Sequence, residues 1–140
     1  TGFPGETEEE FNETLNFVRE IGFSKVHIFC YSRRESTPAA QMENQVDEQI
    51  KTARSKRLST VAVKCARDFF AAQVGRTENV LFEQQKNGFF EGYTENYTPV
   101  KVKAQEGLKG RILPVKITEC TDEGCFGEVV SLPATKGHRP

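Results

Sequence analysis

The sequence predicts an α+β protein, with helices and one buried strand in its first half and a small antiparallel β-barrel in its second. Three observations predict this arrangement. A capping box precedes a helical pattern near the start of the chain. An amphipathic stretch without Gly or Pro runs from Val46 to Ala72, which favours one long helix. After Gly75 the pattern changes to short alternating stretches separated by glycines, as expected for strands joined by tight turns.

Length and charge limit the classes of protein that fit. A chain of 140 residues forms one ordinary domain or two small units that lean on each other. No apolar run approaches the ~18 residues that a membrane span needs, so we expect no membrane segment. The formal net charge is −1, which gives no general attraction to nucleic acid. Any RNA site must therefore be a local patch.

The four cysteines, Cys30, Cys65, Cys120 and Cys125, do not have the spacing of a zinc or iron–sulfur motif. Scattered cysteines are most often small buried hydrophobic residues in a reducing compartment, so we expect a cytoplasmic protein without a metal site. A disulfide framework or a metal site is the alternative. The chain opens on Thr1 rather than Met, which indicates an excerpt from a longer protein.

The first helix is expected from Thr7 to Glu20. Thr7 and Glu10 are spaced as a capping box, and Gly22 follows as a C-terminal stop. The next segment, 26–31, is apolar or aromatic at every position except His27. Such a run predicts a strand covered on both faces, as in a parallel α/β sheet.

The long helix is expected to present an apolar face to the core and a basic face to water. Its end and Gly75 predict a domain boundary near Val74, which leaves residues 1–74 as an α/β portion with a long linking helix. The expected core residues are Leu58, Val61, Ala62, Cys65, Phe69 and Ala72, and the expected solvated cations are Lys56, Arg57, Lys64 and Arg67.

Residues 75–132 are expected to form the barrel, and residues 133–140 a flexible tail. Predicted strands cover 80–83, 97–104, 111–120 and 126–132, and a fifth is allowed for. Because a small sheet hides its edges by closing, these strands favour a barrel like the oligonucleotide-binding fold.

Lys101 and Lys103 alternate with Val100 and Val102, so the lysines should share one face of a strand. Together with other cations and exposed rings they form a candidate RNA-binding strip. The alternative is a solvated face, because the nine basic residues of 75–140 are matched by nine acidic ones. The candidate RNA contacts are Arg76, Tyr93, Tyr97, Lys101, Lys103, Lys109, Arg111 and Lys116, with Phe89 and Phe90 as further rings.

Several motifs resemble, in order and spacing, the end of the methylthiotransferases. They are Gly2-Phe3-Pro4-Gly5-Glu6-Thr7, Tyr31-Ser32 with Thr37-Pro38-Ala39, Arg54-Ser55-Lys56-Arg57-Leu58, Gly75-Arg76, Val80-Leu81-Phe82-Glu83 and Gly92-Tyr93-Thr94-Glu95-Asn96-Tyr97. The resemblance covers essentially the whole chain. It implies the C-terminal part of a radical S-adenosylmethionine (SAM) α/β barrel, followed by a TRAM domain as the OB-like β-barrel. Arg33-Arg34-Glu35-Ser36 departs from the family's usual form of that loop.

The resemblance implies a parent enzyme that uses two 4Fe-4S clusters and SAM to add a methylthio group to an adenosine next to the tRNA anticodon. The last motif looks most like the threonylcarbamoyladenosine branch. The barrel would bind the anticodon stem-loop. The cluster-binding three-cysteine motif is absent from the chain, so we expect no cofactor here and no activity from this segment alone.

Other interpretations stay open. Gly2, Pro4 and Gly5 either approach SAM, as the resemblance implies, or only shape a turn before a capped helix. The chain could also be a stand-alone RNA-binding module, a protein adaptor, or part of the isopentenyladenosine or ribosomal-protein branch of the family. An incomplete sheet would expose apolar edges at residues 24–31, and we expect these to favour self-association.

Overall fold

The computed structural model describes residues 1–130. They form two compact units, the first covering Thr1–Phe69 and the second beginning at Phe70. None of the helices in the described part is long and apolar enough to cross a membrane. The elements in chain order are α1 (Glu8–Ile21), α2 (Pro38–Gln41), α3 (Glu48–Ala71), β1 (Thr77–Lys86), β2 (Phe89–Thr94), β3 (Pro99–Lys103), β4 (Ile112–Thr121) and β5 (Gly124–Val129).

The helix α1 begins and ends as the sequence predicts. The Glu10 N–H donates to Thr7 Oγ1 at 3.2 Å, and the Thr7 N–H donates to Glu10 Oε2 at 2.9 Å. Both exchanges of the capping box are therefore present, and each satisfies an amide that the first turn would leave unpaired. Gly22 ends the helix in the left-handed conformation, with φ of 68°.

An apolar cluster packs α1 against α3 in the first unit. It combines one face of α1 with one face of α3, and Val26 and Ile28 pack against it. Phe11 has no exposed surface, so its replacement by alanine should cost about 3–5 kcal/mol of unfolding free energy. The buried members are Phe11, Leu15, Val18, Leu58, Val61 and Cys65.

The predicted strand over 26–31 is wrong for this chain. The segment has no strand assignment, and His27 and Phe29 are exposed while Val26 and Ile28 are half-buried. A strand needs a neighbour for its backbone groups. Here the Thr1 amino group donates to the Phe29 carbonyl at 2.7 Å, and the Tyr31 N–H donates to the Thr1 carbonyl at 2.8 Å. Thr1 takes part in both of these strand-like hydrogen bonds. The face of the segment that carries His27 and Phe29 is exposed to solvent.

The second unit is a closed five-stranded barrel in the order β1-β2-β3-β5-β4. Closure is as predicted, and all neighbouring strands are antiparallel except β3 and β5, which pair in parallel. The purely antiparallel barrel of the prediction is corrected in that one pair. The prediction allowed for a fifth strand but did not locate β2. Residues 131 and 132 of the last predicted strand, and the predicted tail 133–140, lie outside the described residues.

The barrel interior is filled by alternate residues of its strands, as the pleat requires. Gly92 lies on β2 where the backbones of β1 and β2 approach closely, because a Cβ there would stand 2.1 Å from the Leu81 carbonyl oxygen. Glycine is thus required at that position. The largest fully buried side chains of the barrel unit are Phe82, Leu108, Ile117, Val80, Val100, Val115 and Thr98.

Candidate nucleic-acid interface

Two of the predicted RNA contacts lie on the outside of β3. Val100 and Val102 are 1 % and 2 % exposed, and the lysines between and after them point outward. The predicted alternation is confirmed. Lys101 Nζ lies 3.3 Å from Glu91 Oε1 on β2. Lys103 forms no ion pair with any other residue of 1–130, so its charge is available to a ligand.

Two half-buried rings lie on the strands beside β3. Phe89 on β2 is the register partner of Lys103, and Phe126 on β5 is the register partner of Lys101. Their ring centroids are 5.7 Å apart in an edge-to-face arrangement, so the rings meet across β3. These four residues line one surface cleft of about 400 Å³. We call them the β3 face: Lys101, Lys103, Phe89 and Phe126.

Tyr97 lies in the turn between β2 and β3, and its side chain is 82 % exposed. Its backbone has φ of 62°, a conformation that non-glycine residues rarely adopt. The Tyr97 N–H donates to the Thr94 carbonyl at 3.0 Å. The ring is therefore held away from the barrel core.

Arg76 and Lys116 lie at the same end of the barrel as Tyr97. Gln73 Oε1 accepts from Arg76 Nη1 and from Asn96 Nδ2, both at 3.4 Å. Lys116 Nζ donates to the Gly75 carbonyl, and Lys116 is the register partner of Thr77. Residues 73–77 thus link both cations to the Tyr97 turn. We call Tyr97, Arg76 and Lys116 the barrel-end cluster.

The predicted basic strip is not continuous. Lys101 and Lys103 on β3 are separated from the β1–β4 pair by β2 on one side and by β5 on the other. Lys109 and Arg111 lie in a third place, in the loop before β4, where the Arg111 carbonyl accepts from the Phe82 N–H. Alternation along the sequence shows which side chains share one face of a strand. It does not show the order of the strands in the barrel, on which the distance between residues of different strands depends.

The remaining predicted rings have different surroundings. Tyr93 is 48 % exposed and lies beside Leu81 on β1 and Pro99 on β3. Phe90 is only 7 % exposed and packs edge-to-face on Phe82 in the core, so it cannot stack on a base. Phe126, which the prediction left out, takes a place that only the β3–β5 pairing reveals.

The Gly2–Gly5 turn in the first unit is shaped by contacts within the chain. The Gly2 N–H donates to Glu6 Oε1 at 2.9 Å, and the Gly5 N–H donates to the Asn44 carbonyl at 2.9 Å. A Cβ at Gly2 would stand 2.1 Å from Cγ of Lys51. Shaping the turn accounts for both glycines. The predicted contact of Gly2, Pro4 and Gly5 with SAM stays a prediction.

A buried lysine borders this turn. Lys51 is 3 % exposed, its Nζ donates to the Tyr31 carbonyl at 3.1 Å, and it pairs with Glu48. The Tyr31 hydroxyl is buried and has no hydrogen-bond partner among residues 1–130. The sequence analysis predicted no site role for either residue, because a lysine in a helical pattern is normally expected to be exposed to solvent.

A buried arginine lies on the same helix. Arg54 is 6 % exposed, and its Nη1 donates to Glu6 Oε1 at 2.7 Å and to the Glu6 carbonyl at 3.0 Å. Glu8 accepts from both Arg54 and Arg57. The hydrogen bond from Arg57 is the main cause that holds the pKa of the Glu8 carboxyl below its ordinary value of 4.5. This cluster fixes the start of α1 to α3.

The cysteines do not fit an iron–sulfur centre. No three His, Cys, Asp or Glu side chains of residues 1–130 are grouped so that they could hold a metal ion. Cys65 and Cys125 are buried and Cys30 is exposed, and all four thiols are free. Burial raises the pKa of the Cys125 thiol to about 11. An iron–sulfur cluster needs grouped thiolates, and residues 1–130 do not bring these thiols together.

Comparison with known proteins agrees with this architecture. Residues 71–130 match the TRAM domain family. The chain is 41% identical, over 99% of its length, to the threonylcarbamoyladenosine tRNA methylthiotransferase MtaB of Bacillus subtilis, of which it covers 32%. It is also 41% identical, over 96% of its length, to the tRNA-2-methylthio-N(6)-dimethylallyladenosine synthase of Symbiobacterium thermophilum, of which it covers 29%. The chain thus spans about a third of the length of these relatives.

The barrel and the match to its family define the second unit as a TRAM domain. The similarity to the methylthiotransferases continues through the helical unit. Over nearly all of its length the chain is therefore similar to part of these tRNA-modifying enzymes.

Proposed function

We propose that this chain is the tRNA-gripping portion of an enzyme that methylthiolates threonylcarbamoyladenosine next to the anticodon. The observation that carries the proposal is the 41% identity to the Bacillus subtilis enzyme over 99% of the chain, across both the helical unit and the TRAM domain. An enzyme with a tRNA substrate works where tRNA is found, so we place the parent protein in the cytoplasm.

In this proposal the barrel holds the anticodon stem-loop and presents one of its bases. Lys101 and Lys103 contact backbone phosphates, which position an RNA without reading its sequence. Loop bases are unpaired and can leave the stack, so they suit the aromatic side chains that lie near these cations. The β3 face offers both kinds of group within one cleft, which supports an RNA contact there. Arg76, Tyr93, Tyr97, Lys109, Arg111 and Lys116 are further proposed contacts.

One alternative substrate has comparable support. The relative from Symbiobacterium thermophilum, named for dimethylallyladenosine, has the same 41% identity as the first. To separate the two, the affinity of the chain is measured for stem-loops that carry threonylcarbamoyladenosine or isopentenyladenosine. Tighter binding of the first supports our proposal, and tighter binding of the second assigns the chain to the other branch. Equal affinities place substrate choice outside this chain.

The RNA-gripping role is tested by fluorescence anisotropy with a labelled anticodon stem-loop at 50 and 200 mM salt. Phosphate contacts make affinity fall with salt, so removal of two cations should lower the slope of log K against log salt by about 1.4 to 1.8. The test variant is Lys101→Ala/Lys103→Ala. The matched control is Lys25→Ala/Lys56→Ala, which removes two exposed lysines of the first unit and should leave binding unchanged.

The results decide between RNA binding and its rivals. No binding by the unaltered chain at low salt would overturn the RNA-gripping role and favour a protein-contact role for the barrel. Equal losses in the test and control variants would show unspecific attraction. A stand-alone RNA-binding module predicts binding to unrelated stem-loops as tight as binding to the anticodon stem-loop.

We also propose that the chemistry requires residues beyond this chain. The resemblance implies 4Fe-4S clusters and SAM in the parent, and residues 1–130 do not group the thiolates that clusters need. After reconstitution with iron, sulfide, SAM and a reductant, the chain should form no methylthioadenosine on tRNA. Product formation would disprove this expectation.

Exposed Phe29 (76 %) and Phe17 (56 %) support self-association of the chain. A monomeric sedimentation profile at micromolar concentrations would contradict it.

A further inference from the structure

The backbone of Tyr97 has a φ of 62°, in the left-handed region that tyrosine rarely adopts. Within residues 1–130 the non-glycine residues with positive φ are Asn44, Asn87 and Tyr97. Asparagine visits this region readily because its short polar side chain bonds locally, whereas tyrosine gains no such compensation. A residue held in a rarely populated conformation suggests a functional reason for its presence.

A polar network holds the strained turn in place. Asn96 Oδ1 accepts from the hydroxyl of Thr94 at 2.6 Å and from that of Thr98 at 2.7 Å. The Thr98 N–H donates to Thr94 Oγ1 at 3.0 Å. Thr94 and Thr98 are buried, at 7 % and 0 % exposed. The surroundings therefore determine the backbone of the turn, and the Tyr97 side chain takes no part in these bonds.

The Tyr97 ring does not stabilise the barrel. It is 82 % exposed, and it forms no ring pair or cation–π contact within residues 1–130. An exposed ring buries little apolar surface and so adds little to the free energy of unfolding. The fold alone would favour Asn or Gly at this position, because both tolerate the left-handed backbone without a bulky side chain.

Two cations lie at the same end of the barrel. Arg76 and Lys116 are linked to the Tyr97 turn through Gln73 and the Gly75 carbonyl. Arg76 Nε also lies 3.4 Å from Glu78 Oε1, and the Arg76 side chain is 58 % exposed. Such an exposed ion pair is weak and can open for a phosphate. The barrel-end cluster therefore combines a free ring with charges that could hold a nucleic-acid backbone.

We infer that the ring of Tyr97 is a stacking platform for one unpaired base of the bound RNA, whose flanking phosphates contact Arg76 and Lys116. The inference rests on the proposed RNA-gripping function and assigns the Tyr97 ring a specific role in it, at a place distinct from the β3 face. A ring presented by a rigid turn stacks on a base without first being ordered, so it loses little conformational entropy on binding.

The test uses the whole chain with Tyr97→Asn, which keeps a residue suited to positive φ and removes the ring. Its affinity for the anticodon stem-loop should fall about 5- to 150-fold, the equivalent of losing one stacked base. The matched control is Tyr97→Phe, which keeps the ring and should bind within about twofold of the unaltered chain. The urea midpoint of Tyr97→Asn should equal or exceed that of the unaltered chain, because the change relieves strain.

Several results would overturn the inference. It is wrong if Tyr97→Asn binds the stem-loop within twofold of the unaltered chain, or if Tyr97→Phe loses as much affinity as Tyr97→Asn. Photo-crosslinking with 4-thiouridine in the loop gives an independent readout. An adduct on the peptide that contains Tyr97 supports the platform, and adducts confined to other peptides count against it.

The experiment also separates the two proposals. If the unaltered chain binds no RNA at low salt, the proposed function and the inference fail together. If the unaltered chain binds, and Lys101→Ala/Lys103→Ala weakens binding while Tyr97→Asn does not, the β3 face holds the RNA and only the platform is disproved.

Discussion

Nη1 of Arg54 lies 2.7 Å from Oε1 of Glu6, and the same carboxylate oxygen accepts the N–H of Gly2 at 2.9 Å. One carboxylate therefore joins the first residues of the chain to the second turn of α3. The Arg54 side chain is 7 % exposed and that of Glu6 is 20 % exposed. A buried charge is tolerated only when paired, so the arrangement depends on both partners.

Arg54→Met should destabilise the first unit strongly. It removes the cation and leaves the Glu6 carboxylate desolvated without its partner, at a cost of about 3–5 kcal/mol in the free energy of unfolding. Chemical denaturation of the unaltered and variant chains measures the difference. The control is Lys64→Met, whose side chain is 75 % exposed in its pair with Asp68 and which should cost about 0.5 kcal/mol or less. Similar losses in both variants would contradict the importance of burial.

Gly2→Ala and Gly5→Ala should differ, although both glycines have positive φ, 78° and 85°. Each alanine is strained in the left-handed region, at about 1–2 kcal/mol. At Gly2 the new methyl group also meets Lys51, with Cγ 2.1 Å away, whereas nothing lies within 4 Å at Gly5. Gly2→Ala should therefore lower the free energy of unfolding by about 1–3 kcal/mol more than Gly5→Ala. Equal losses would show that Lys51 moves aside freely.

The helices of the first unit could be predicted because their determinants are local. A capping box, a glycine stop and a period of 3.6 residues all lie within the segments they shape. The burial of Lys51 and Arg54 could not be predicted, since their partners lie 20 residues away at Tyr31 and 48 residues away at Glu6. The strand predicted for residues 26–31 was wrong for a related reason. Apolar content predicts a strand, but a strand requires a paired neighbour.

The barrel shows the same division. Alternation placed Lys101 and Lys103 outward, because the pleat is a local property. It could not show that β5 lies beside β3, so Phe126 was missed and the basic residues were expected to form one strip. The conformation of Tyr97 depends on hydrogen bonds among Thr94, Asn96 and Thr98. Residue types considered one at a time do not predict such a network.

The Glu8 carboxyl should titrate below pH 4.5. Its pKa is lowered mainly by the hydrogen bond from Arg57, so the folded state releases the proton more readily than the unfolded chain. The stability that this pair adds is fully present above the unfolded pKa and is lost as the pH falls through the folded pKa. Arg57→Met should move the Glu8 pKa upward in a carbon-detected NMR titration. An unchanged titration would show that the Arg57 contact does not persist in solution.

The thiol of Cys125 should react last with an alkylating agent. Cys125 is 2 % exposed, its Sγ donates to the Phe70 carbonyl at 3.7 Å, and burial raises its pKa to about 11, with a smaller contribution from nearby Cys120. Only the thiolate is alkylated, and at pH 8 a thiol with that pKa is ionised in roughly one molecule in a thousand. Cys30 is exposed and should react first.

Mass spectrometry after timed exposure to iodoacetamide at pH 8 measures the order of alkylation, and the same reaction in urea, where burial is lost, is the control. We expect Cys125 to react at least about tenfold more slowly than Cys30 in the folded chain, and at a similar rate in urea. The two conditions separate burial from any effect of local sequence, because the neighbours along the chain are the same in both. Rapid alkylation of Cys125 without urea would mean that the barrel opens near β5, and the β3 face, which depends on Phe126 of that strand, would then not be a stable surface.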